Sequence, residues 1–173
     1  MNTKLYLVGA LCIAALLCMV PVSAFNQQVV VKSDISPSFS MSIAAGDVIF
    51  PLIVGTNEKL DGPSVTVTSN TPYTIVAKDQ MINSKPAGTG GKMADINTGT
   101  GEWGAALTNA LEMKVNGGSY ATLSASDVTI RTGGAEAFTG PLGFRQQVAI
   151  TDAVLPVNHK YQVELMVTGN ANP

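Results

Sequence analysis

Apolar and polar residues alternate along most of this chain, most persistently near its start. Val29, Val31, Ile35, Pro37, Phe39, Met41 and Ile43 occupy odd positions, while Gln28, Lys32, Asp34, Ser36, Ser38, Ser40 and Ser42 occupy even ones. Successive side chains of a strand point to opposite faces, so a period of two predicts a half-buried strand. A strand running from 29 to 43 at ~3.3 Å per residue would reach ~50 Å, well beyond the usual length. Pro37 cannot donate to a strand ladder, so a break is expected near it and two strands are expected rather than one.

Shorter runs follow. Residues 47–54 are apolar between Gly46 and Gly55, and 64–68, 73–78, 111–115, 120–123, 128–130, 144–150 and 160–168 alternate or are β-rich. Asn70-Thr71-Pro72 reads as a hairpin connection and Gly117-Gly118 as a second turn. No long window shows a capped 3.6-residue apolar repeat; the nearest is a single turn over 103–111. About eight or nine short strands with nothing helical between them predict an all-β fold, an antiparallel Ig-like β-sandwich. The exception is 80–109, where Gly88, Gly90, Gly91, Gly99, Gly101 and Gly104 predict a long glycine-rich loop, a length usually tied to function.

The first residues break the pattern. Lys4 precedes an uncharged apolar run from Leu5 to Val20, and Pro21-Val22-Ser23-Ala24 ends it with small residues at the positions a signal peptidase reads. Basic, apolar and small-residue parts in that order predict a secretory signal peptide over 1–24, cleaved after Ala24. The run is shorter than the ~20 apolar residues a spanning helix needs. No membrane insertion is expected after cleavage. Residues 25–173 then form a single domain, long enough to bury a core without staples. Cys12 and Cys18 both lie in the leader, so the exported chain would carry no thiol for disulfides, metals or nucleophilic attack. Of ten cations only Lys4 would leave with the leader, so nine cations against twelve anions would leave a weakly acidic surface that gives nucleic acid no electrostatic footprint.

Candidate chemistry is sparse. His159 is the sole histidine, which excludes a two-histidine metal cluster, and its place at the start of the last strand reads as structural. The carboxylates are scattered singly and define no acid-base pair. No catalytic, cofactor or metal residue is expected. Asp95, Asn97 and Glu102 echo the alternating oxygens of a calcium loop, but an EF-hand needs Gly and Glu where Thr100 and Ala106 stand. Trp103, flanked by Gly101-Glu102 and Gly104, offers either an aromatic ligand or subunit contact, or a ring packed over the sandwich end. A sheet-borne lysine can also form an amide cross-link, and Lys32 is the early candidate. The alternating terminal strand could pair with an edge of a neighbouring molecule, inserting Val29, Val31 and Ile35.

The run from Ser64 to Ile75, with Gly91-Lys92-Met93, Leu111-Glu112-Met113, Gln146-Gln147-Val148 and Tyr161-Gln162-Val163, resembles small secreted β-sandwich proteins of prokaryotic, especially archaeal, envelopes. Pilin, sheath and wall-module proteins are the nearest kinds in outline. Wall-binding modules repeat Trp-x-Leu, however, whereas Gly104 and Ala105 follow Trp103, and type IV prepilins keep the apolar helix that cleavage here would remove. The resemblance implies a non-enzymatic surface protein that is secreted and forms filaments, sheaths or layers. Its partners would be copies of itself or other envelope components. An extracellular carbohydrate-binding or adhesion module is the alternative.

Overall fold

The structure, a computed structural model, describes residues 35–44, 46–82 and 84–172. The expected leader, together with Val29, Val31 and Lys32, lies outside them. Among the described residues all regular structure is strand, every ladder is antiparallel, and no helix forms. Two strands show why. In β3 (Ser64–Ser69) Val65 and Val67 are wholly buried, while Ser64, Thr66 and Thr68 face solvent. In β4 (Tyr73–Asp79) Tyr73, Ile75 and Ala77 turn to the same interior. Burying each Val- or Ile-sized side chain contributes ~1.5–3 kcal/mol.

One layer is the sheet of β1 (Phe39–Ile43), β3, β10 (Glu136–Val148), β7 (Glu112–Val115) and β8 (Ala121–Thr122), with β2 (Gly55–Lys59) also paired to β10. Facing it, β4 runs between β12 (Leu165–Ala171) and β9 (Val128–Gly133). A further three-stranded sheet sets β5 (Lys92–Asn97) between β11 (His159–Gln162) and β6 (Trp103–Ala110). Val65 and Val67 of one layer share a core with Ile75 of the other, and Met113, Leu142 and Phe144 extend it. The Phe39 and Tyr73 rings meet across the layers at 5.8 Å. This is a β-sandwich-like, all-β architecture.

Several expectations need correcting. Residues 80–109 are not one long loop, since β5 and most of β6 lie within them. The glycines sit at turns and close approaches and leave strand between them. Gly91 has φ +78°, and Gly104 lies where a Cβ would come within 2.7 Å of Asp95 Oδ2. The turn of helix over 103–111 is likewise strand. Asn70-Thr71-Pro72 is not a hairpin, because β3 and β4 lie in different sheets and the segment crosses between layers. The apolar run 47–54 forms no strand, and pairing begins at Gly55. The run 160–168 divides into β11 and β12 in separate sheets, and twelve strands in all form among the described residues. Residues 35–38 around Pro37 form no strand and β1 starts at Phe39; the first of the two expected strands lies outside the described residues.

Candidate functional site

The strand β10 organises the surface. Its first residue, Glu136, is opposite Ser69, and its last, Val148, is opposite Gly55. At ~3.3 Å per residue these ends stand roughly 40 Å apart.

Beside the Glu136 end, residues 36–38 are fastened before β1 begins. Asn70 Oδ1 accepts the Ser38 N–H at 2.7 Å, its Nδ2 donates to the Ser36 carbonyl at 2.9 Å, and Ser69 Oγ donates to the Ser38 carbonyl at 3.3 Å. Ile35, just before this staple, is 87% exposed and in no strand. Because β1 pairs only with β3, its other edge is open among the described residues. The same end carries a polar network. Tyr73 donates its hydroxyl to Glu136 at 2.7 Å, Arg131 Nε donates to that hydroxyl at 3.0 Å, and Arg131 Nη2 reaches Glu136 at 2.9 Å. The Tyr73 hydroxyl and then the Arg131 guanidinium hold the Glu136 carboxyl below its usual range, while burial raises the Tyr73 phenol.

The Val148 end differs. Ile49, Ile53 and Val54 on the connector before β2, and Ile150, Val154 and Val157 on the connector after β10, are 63–97% exposed. These connectors are held by polar side chains. Asn57 Oδ1 accepts the Ile53 N–H at 2.9 Å, and its Nδ2 donates to the carbonyls of Ile53, Gly55 and Gln146. Asp152 accepts from the Ala149 N–H and from both the N–H and hydroxyl of Thr108 at 2.7–2.9 Å. Burial pushes the Asp152 carboxyl up, but those three donors outweigh it and the net shift is downward. Ile53, Val54 and Ile150 thus stay exposed beside the Gly55–Val148 pair, while Val48 and Phe50, earlier on the first connector, pack against the core. Exposed aliphatic side chains grouped beside one strand pair, as Ile53, Val54 and Ile150 are, are a feature of binding surfaces.

Trp103 opens β6 instead of sitting on a free loop, and its indole N–H is buried without an acceptor. The Lys85 ammonium lies 5.7 Å from its ring centroid. Two surface depressions, one bounded by Leu60, Lys114 and Pro141 and one by Ser119, Tyr120 and Arg131, do not include it. The calcium-like oxygens serve other partners. Asp95 Oδ1 meets His159 Nδ1 at 2.8 Å, Asn97 Oδ1 accepts the Gly99 and Thr100 N–H groups, and Glu102 accepts the Thr100 hydroxyl. Among the described residues no group of three or more His, Cys, Asp or Glu side chains is placed to hold a metal ion.

A second cluster was missed in the sequence. Asp79 and Lys85 form an ion pair in which each side chain is only 1% exposed. Asp79 ends β4, and Lys85 sits in the connector to β5. A lysine and an aspartate six residues apart in a glycine- and proline-containing connector carry no periodic signal that could have marked them as buried. A scan of protein-family models and a search of curated proteins return no match to this chain.

Proposed function

We propose that this is an exported, non-enzymatic subunit of a prokaryotic cell surface, an Ig-like β-sandwich that polymerises with further copies of itself. The observation that carries this reading is the asymmetry of β10. The chain reaches an open-edged strand beside one end, and the other is flanked by the exposed Ile53, Val54 and Ile150, on connectors that also expose Ile49, Val154 and Val157. Different, complementary surfaces at opposite ends give head-to-tail contacts, which build open filaments when the rotation between copies does not close a ring. The alternation of Val29, Val31 and Ile35 supplies a strand with one apolar face. Strand addition would combine main-chain hydrogen bonds with apolar insertion. Export follows from the reading of 1–24 as a signal peptide, whose removal would free the alternating segment.

The test uses protein spanning 25–173, examined by size-exclusion chromatography and electron microscopy. Polymers are expected, and trimming 25–34 should abolish them. A species that stays monomeric at high concentration and binds a glycan instead would sink the assembly reading.

A further inference from the structure

We propose that Asp79 and Lys85 become covalently joined, the lysine Nζ forming an amide with the aspartate Cγ and one water being lost. This inference stands apart from the assembly reading and holds or fails without it. Two charges removed from water are costly unless well compensated, and an amide removes both. The site is built for the reaction rather than merely tolerant of the pair.

Lys85 Nζ contacts Asp79 Oδ2 and donates to the Lys92 carbonyl at 2.6 Å, which aims the nitrogen at the carboxyl group. The carboxyl is gripped from two other directions. Oδ1 accepts the Met81 N–H at 3.0 Å, and Oδ2 accepts the Gly91 N–H at 2.9 Å. The Gly91 amide can come this close because the residue has no side chain: a Cβ there would fall 2.0 Å from the Leu123 carbonyl oxygen. The Trp103 ring covers the ammonium. Met81 and Ser84 adopt φ of 50° and 61°, so the connector is bent into a left-handed path that non-glycine residues rarely take.

The step balances within the pair. One proton moves from the Nζ ammonium to Oδ2, leaving a neutral amine beside a carboxylic acid. The amine lone pair adds to Cγ while the C=O electrons move to Oδ1, where the Met81 N–H stabilises the oxyanion. A second proton passes from nitrogen to Oδ2, which departs as water from the Gly91 N–H when the carbonyl re-forms. The remaining N–H keeps its bond to the Lys92 carbonyl. Holding both reactants in contact replaces a bimolecular encounter, the largest obstacle to amide formation at ordinary concentration.

Mass spectrometry of the purified, denatured and trypsin-digested protein tests this. Pro86 follows Lys85, so trypsin yields the peptide 79–92 whether or not the bond exists. The expected peptide is lighter than its sequence mass by one water, with no fragment ions from cleavage between 79 and 85. The Lys85→Arg variant should restore the full mass. A full-mass peptide from the wild-type protein overturns the proposal. So does a water loss that persists in Lys85→Arg, which would mark closure of Asp79 on its own backbone.

Discussion

The two ends of β10 are fastened by the same device and offer solvent opposite surfaces. Beside Glu136, Asn70 staples residues 36–38, and the partly exposed Arg131 and Glu136 form an ionic network closed by the buried Tyr73 hydroxyl, with Ile35 the exposed aliphatic residue. Beside Val148, Asn57 and Asp152 staple two connectors, and the exposed groups are aliphatic. Backbone groups need partners wherever the chain turns, and an asparagine or aspartate can supply several at once. The connector before β2 packs Val48 and Phe50 against the core, and with its backbone satisfied by Asn57 it leaves Ile49, Ile53 and Val54 exposed. Aliphatic residues are then left exposed at that end.

The largest expected effect falls on both ends together. Ile75→Ala empties a wholly buried site in the shared core and should cost ~2–5 kcal/mol in urea denaturation. Next comes Asn57→Ala, which strips four hydrogen bonds from a nearly buried side chain. It should cost ~1–3 kcal/mol and weaken self-association, because Ile53 and Val54 lose their anchor. Asn70→Ala acts on exposed bonds and should cost ~1 kcal/mol or less. If Asn70→Ala costs as much as Asn57→Ala, the staples are not graded by burial and the contrast fails.

Acid should act on both ends. Glu136 and Asp152 are each held below their ordinary values of 4.5 and 3.8, so folding favours their ionised forms. Their contribution is complete above those values and is lost as the pH falls through the lower folded ones. The urea midpoint should therefore drop on acidification below about pH 4.5, and Glu136→Gln and Asp152→Asn should each flatten that fall. The smallest change in stability belongs to Val154→Asp, whose side chain is 97% exposed. It should stay within ~0.5 kcal/mol of wild type.

The layers were legible where one face of a strand is buried. Val65, Val67, Tyr73, Ile75, Met113 and Val115 alternate in the sequence and alternate in burial. Legibility failed where neighbours decide. The run 47–54 has strand-like composition, yet it forms no strand: Ile49 and Ile53 face water while Val48 and Phe50 pack against the core. Glycine density masked β5 and β6, because composition does not say that glycines fall at turns with strand between them. Gln146, in a run expected to show apolar residues on one face, is wholly buried, its amide donating to the Asn109 and Gln147 carbonyls. Ile150, the last residue of the strand-like run 144–150, is 86% exposed because β10 ends at Val148. Ionic contacts such as Asp79 with Lys85 depend on the path of a connector, which no periodicity encodes.

Sedimentation velocity on protein spanning 25–173, wild type against the Ile150→Asp, Val154→Asp double variant, tests the central claim most directly. Concentration-dependent polymers are expected for the wild type and a monomer of unchanged melting temperature for the variant. A wild type that remains monomeric, or a variant that polymerises equally well, would contradict it.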